Sequence, residues 1–100
     1  MRIAVASEGE NIESEISSRA GRAPYYLIFE NNKLVEIIKN PFAIGGGGAG
    51  YSVAYMLDNK KVDVVIAAQI GQNMKIALEE RGIEFREKTG KISELDEIKD

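Results

Sequence analysis

Apolar positions along the chain fall into alternating strand-like and helix-like blocks. Arg2 to Ser7 is a short, nearly unbroken apolar run, the pattern of a central strand covered on both faces. Glu8 to Arg22 has only Ile12 and Ile16 as large apolar residues, which predicts a long ordered loop too polar to be core. Pro24 to Glu30 is aromatic and apolar and predicts a second strand. Asn31-Asn32 can adopt the left-handed conformation of a two-residue hairpin turn, and Lys33 to Lys39 reads as the returning strand, stopped by Asn40-Pro41.

After the run Ile44-Gly45-Gly46-Gly47-Gly48-Ala49-Gly50, Tyr51 to Asn59 carries Val53, Ala54 and Leu57 at helical spacing. Val62 to Ala68 is β-branched and apolar, as in a buried parallel strand. A second helix follows, with Ile70, Met74, Ala77 and Leu78 on one face and Gly82 as its stop. Ile83 to Arg86 alternates like a short edge strand, and Lys91 to Asp100 reads as a weak, acidic terminal helix or tail. Right-handed crossovers then predict an α/β domain with a five-stranded mixed sheet, ordered 3-2-1-4-5, in which only strand 2 is antiparallel.

In that topology strands 1, 3 and 4 end at one sheet edge, where both helices begin. Open α/β sheets place ligands outside the carboxyl ends of their strands. Helix amino termini bring unpaired N–H groups and partial positive charge, so the edge favours an anion. Arg19 and Arg22 add forked, fully charged donors. The candidate binding residues are therefore Ser7, Arg19, Arg22, Gly47, Gly48, Gly50, Gln69, Gly71 and Asn73. A plainer reading has the two arginines bonding loop carbonyls and the glycines serving as a flexible connection. Gly45, Gly47 and Gly50 satisfy G-x-G-x-x-G, yet they follow the third strand instead of the first, and Tyr51 stands where a phosphate loop needs lysine. Both nucleotide readings fail on context.

Composition removes other chemistries. One hundred residues make a single domain, 1–100. The absence of cysteine and histidine excludes disulfides, thiol catalysis, Ser-His pairs and the usual zinc or iron–sulfur ligands. A net charge of −3 argues against a nucleic-acid-coating role. No apolar run approaches the ~20 residues of a membrane span, and no signal peptide precedes the first strand, so a cytoplasmic protein is expected. Abundant Ile, Glu and Lys lean toward a thermophilic source. Glu8, Glu10, Glu13 and Glu15 are candidates for a hard-metal or acid–base cluster, or for a solvated loop surface. Tyr25, Tyr26 and Phe29 read as core and sheet-face aromatics, and Asp63 as a solvated strand end.

Several segments, in order, carry a family resemblance. They are Met1 to Ser7, Ser17 to Tyr26, Asn40-Pro41, Gly47-Gly48-Ala49-Gly50, Val62 to Asn73, Ala77-Leu78 and Gly82-Ile83. Together they resemble the dinitrogenase iron–molybdenum cofactor biosynthesis family over nearly the whole chain. The resemblance implies a ribonuclease H-like three-layer fold and the binding or carriage of an iron–molybdenum or other metal–sulfur cluster, without catalysis. The family's loop often reads Ser-x-His/Arg-Phe-Gly-Arg-Ala; here Arg19 replaces a histidine ligand and Ala20 the aromatic. A cluster would be held loosely, through N–H groups and arginines, so protein from a foreign host is expected to be metal-free. A nuclease reading fails because Ala4 and Ala6 stand where a metal-binding carboxylate is needed. A protein-interaction or regulatory module using the same loop edge is the alternative. An enzyme employing Glu8 or Arg22 on a phosphorylated small molecule ranks behind both.

Overall fold

The computed structural model describes residues 1–99. Its elements are β1 (Arg2–Ser7), β2 (Tyr25–Glu30), β3 (Lys33–Lys39), α1 (Ala49–Asn59), β4 (Val64–Ala67), α2 (Gln72–Glu80) and β5 (Glu84–Glu87). The five strands form one sheet of order β3-β2-β1-β4-β5. β2 is antiparallel to both its neighbours, while β1, β4 and β5 are mutually parallel. Order and directions are those expected from the sequence.

The two faces of the sheet are built from different residues. Ala4, Ala6, Tyr26, Ile28, Val65 and Ala67 face the helices, and Ile3, Val5, Leu27, Phe29, Val64 and Ile66 face the other way. Three alanines on the first face let the helices approach closely. Both crossovers advance in the same direction across the sheet, so right-handedness puts α1 and α2 on the same side. They bury Val53, Ala54 and Leu57 from α1 and Met74, Ala77 and Leu78 from α2. Gly82 ends α2 with φ 70°, and Asn31 and Asn32 turn the hairpin with φ 50° and 69°. Lys61, at φ 60° after α1, occupies a left-handed position that no glycine announces.

The third layer corrects two expectations. Lys91 to Lys99 is neither an α-helix nor a loose tail, and Asp100 lies outside the described residues. Two 3₁₀ turns, Ile92–Glu94 and Asp96–Ile98, lie across the second face, with Ile92 and Leu95 buried and Ile98 partly buried against the same cluster. Ile92, Leu95 and Ile98 recur every third residue, the period of a 3₁₀-helix and not of an α-helix. The Glu8–Arg22 loop also contributes to the core through Ile16 and Ala20, with Ser17 equally buried. Backbone pairing draws it inside: the Ser17 N–H donates to Ala6 O at 2.8 Å, and the Ala68 N–H donates to Ser17 O at 3.0 Å. Loop and C-terminal strap are knitted together, Ile16 N–H to Gly90 O at 2.9 Å and Ile92 N–H to Ser14 O at 3.0 Å.

An ion cluster fastens the strap to the sheet. Glu97 Oε2 receives Lys88 Nζ at 2.7 Å and Arg86 Nη1 at 3.1 Å, and Arg86 also bonds Glu84. Burial alone would raise the Glu97 carboxyl, but hydrogen bonds from Lys88 and Arg86 outweigh it and hold the group below the usual carboxylate range. Among the described residues no helix is long and apolar enough to cross a membrane.

Candidate anion-binding crevice

At the carboxyl ends of β1 and β4 lies an open crevice of about 420 Å³. Three segments form it: the loop Arg19-Ala20-Gly21-Arg22, the start of α1 at Ala49-Gly50, and Gln69 with Gly71-Gln72-Asn73-Met74 at the start of α2. They converge because two glycines permit it. A Cβ on Gly50 would lie 3.0 Å from Met74 Cβ and 3.3 Å from Met74 N, so the two helix starts touch only where a side chain is missing. A Cβ on Gly21 would come within 3.3 Å of Gly50 N. Gly50 is therefore required by packing and not by its backbone angles.

Both helices present uncapped starts. α1 begins after Gly48 (φ 84°) and α2 after Gly71, neither with a side-chain cap and neither with an acidic residue in its first turn. Their first-turn amides keep the partial positive charge of the helix end.

The arginine loop is rigidly seated. The Tyr26 hydroxyl, fully buried, donates to Ala20 O, and burial pushes its pKa far above the ordinary tyrosine value. The Ala20 N–H donates to Gln69 O at 3.0 Å. Asn40 Nδ2 donates to Ala23 O at 2.9 Å and Gly21 O at 3.3 Å, while its Oδ1 accepts the Phe42 N–H at 3.0 Å. In the sequence Asn40 is a strand stop and half of a family-resemblance pair; structurally it is the buried hub joining the arginine loop to the turn before the glycines. An Asn-Pro pair at a strand end was the one available signal.

The two arginines behave differently. Arg19 is exposed and makes no hydrogen bond or ion pair with any described residue. Half-buried Arg22 donates from Nη1 to Phe42 O at 3.1 Å and from Nη2 to Gly46 O at 2.5 Å. The carbonyl-bonding alternative thus describes Arg22 and not Arg19. Among the described residues no carboxylate lines the crevice. Glu87, just behind it, is engaged by the Ile70 N–H at 2.9 Å and faces Lys75 at 3.8 Å.

Of the residues singled out from sequence, Arg19, Arg22, Gly50, Gln69, Gly71 and Asn73 line this crevice together. Gly47 lines a smaller adjoining cavity of about 110 Å³, and Gly48 caps α1 without lining either. Ser7 does not reach the crevice: it is fully buried, and its hydroxyl donates to Gly9 O at 2.6 Å and accepts the Gly9 N–H. Gly21 and Met74 also line the crevice; in the sequence Gly21 stands only as the glycine of the family loop and Met74 only as a core-facing helix residue. Asp63, at the opposite end of β4, accepts the Arg2 N–H at 2.8 Å. Among the described residues no group of three or more acidic side chains could hold a metal ion, so the Glu8–Glu15 carboxylates form no such cluster.

Solved structures share this fold. The apo form of the orange protein from Desulfovibrio gigas superposes with a TM-score of 0.85 at 25% identity, covering 92% of this chain and 80% of that one. The NMR structure of a candidate NifB protein from Thermotoga, of the DUF35 family, gives a TM-score of 0.77 at 30% identity, covering 93% of this chain and 81% of that one. No curated protein matches the chain. The sequence profile described as dinitrogenase iron-molybdenum cofactor matches residues 1–98, and this protein belongs to that family.

Proposed function

We propose that this protein binds and carries a small anionic cargo, a metal–sulfur cluster of the iron–molybdenum type or an oxyanion, without transforming it. One observation carries the reading: an unpaired guanidinium, Arg19, shares a carboxylate-free crevice with two uncapped helix starts, on a chain of net charge −3. Family membership and the likeness to the apo orange protein support a cofactor-type cargo.

The donor set suits such a cargo in a particular way. The crevice offers N–H groups, and the chain has no cysteine or histidine. These donors meet the cargo's sulfides or oxygens by charge-assisted hydrogen bonds and leave its metal ions to their own ligands. Holding is then reversible, as a carrier requires. On this reading the role is non-catalytic: the described lining residues offer donors to an anion, and their arginines, amides and glycines bind and orient cargo. On this reading the protein works in the cytoplasm.

Calorimetric titration with tetrathiomolybdate, molybdate and phosphate tests the proposal. Arg19→Ala should weaken binding roughly 10- to 150-fold, the worth of one hydrogen bond to a charged group at about 1.5–3 kcal/mol, with an unchanged melting temperature. Equal affinity in wild type and Arg19→Ala would overturn it. A second reading, a docking surface for a protein partner, draws on Ile44, which is 93% exposed beside the crevice loops. Binding that depends on Ile44 and not on Arg19 would favour it.

A further inference from the structure

We propose that Arg22 is a latch that ties the mobility of the glycine loop, Gly45–Gly48, to occupancy of the crevice; this rests on the anion-binding reading above. Arg22, with Ala49, forms the wall shared by two spaces. It lines both the crevice and the smaller cavity formed with Gly46, Gly47 and Ile44.

The loop depends on it. Among the described residues, no backbone–backbone hydrogen bond involves positions 44 to 47. The bond from Arg22 Nη2 to Gly46 O is what holds that stretch. Gly45 and Gly48 need glycine for their positive φ, but Gly46 and Gly47 do not, and a Cβ on either would touch nothing. The free fold therefore makes no use of glycine at these two positions. Their effect is to widen the range of conformations open to the loop once its single tie is released.

An anion supplies the release. The guanidinium spends two N–H groups on neutral carbonyls, Phe42 O and Gly46 O. An anion adds to such a bond the attraction of a full opposite charge and can take the guanidinium fork in two parallel bonds, which a single neutral carbonyl cannot. Cargo in the crevice draws the guanidinium toward itself, and the bond to Gly46 is the more exposed of the two. An empty protein thus holds the loop ordered, and a loaded one frees it together with exposed Ile44, so that a partner can distinguish the two states.

Amide ¹⁵N relaxation of residues 45–48, measured with tetrathiomolybdate as the probe, tests the latch. In the free wild type the order parameters should approach the rigid value of about 0.85, falling below about 0.6 at saturation. Arg22→Ala should show the low value without anion, and Arg22→Lys, which keeps the charge but loses the fork, should resemble it. Arg19→Ala should leave the free loop ordered. Unchanged order parameters in Arg22→Ala and Arg22→Lys would overturn the latch whatever the crevice binds. Anion binding that leaves the wild-type loop ordered, or orders it further, would overturn the coupling and leave the carrier reading standing. If calorimetry shows no anion binding, the carrier reading falls and the coupling with it, and the free-state comparison still decides whether Arg22 holds the loop.

Discussion

Gly50 and Gly46–Gly47 show that glycines in one run serve different physical ends. At Gly50 the neighbouring helix leaves no room: Met74 Cβ would sit 3.0 Å from an added methyl. Gly50→Ala should cost about 1–3 kcal/mol by overpacking, visible as a lowered melting temperature, and should splay the helix starts and weaken anion binding. Met74→Ala in that background should recover none of the loss, because alanine keeps the Cβ and backbone atoms that the added methyl meets. Gly47→Ala, with open space around it, serves as the control and should leave stability unchanged. An equal loss in both variants would contradict the packing explanation.

Among the elements, the C-terminal strap does the most unexpected work. It completes the third layer and hydrogen-bonds the loop that carries Arg19 and Arg22, so the crevice depends on residues at the far end of the chain. Its fastening is ionic. Glu97 faces Lys88 and Arg86, the latter shared with Glu84, and its carboxyl is held below the usual range. A lowered folded pKa stabilises the protein above the unfolded value of about 4.3, and the benefit is lost as pH falls through the folded value. Glu97→Gln should therefore melt lower than wild type near neutral pH, with the gap closing as the solution is acidified below about pH 4. A gap that persists undiminished in acid would mean that the carboxyl contributes by packing and not by charge.

For the whole molecule, the local and global electrostatics have opposite signs. The chain carries net charge −3, yet the crevice collects two guanidinium groups, two helix starts and, among the described residues, no carboxylate. An approaching anion is repelled at long range and attracted at short range, so salt acts on two terms of opposite sign. Arg19 is exposed, and its attraction is the part most easily screened, since the Debye length shrinks from about 10 Å at 0.1 M to about 3 Å at 1 M. Molybdate affinity should fall over that range in wild type and fall less steeply in Arg19→Ala. Parallel salt slopes in the two proteins would show that Arg19 does not meet the anion.

Local pattern determined most of this molecule. The apolar runs set the strands, Asn31-Asn32 set the hairpin turn, Gly82 set the end of α2, and right-handed crossovers then left one strand order. That order already gathered the arginine loop and both helix starts at one edge, which is why Arg19, Arg22, Gly50, Gln69, Gly71 and Asn73 were legible as neighbours. Other features depend on contacts between residues distant in sequence. Ser7 is the exception, since alternation along β1 sets it on the face of Ile3 and Val5, away from both helix starts, and the nearby Gly9 backbone claims its hydroxyl. The loop's burial was invisible because it rests on backbone bonds from Ser17 to β1 and from Ala68 to Ser17, and every sequence carries the same backbone groups. Asn40 became a hub and Gly50 a point of closest approach only when the Gly21–Ala23 segment and Met74 arrived beside them. Sequence periodicity encodes which side of an element meets the core, whereas the partner it meets there is decided by the closure of the whole chain.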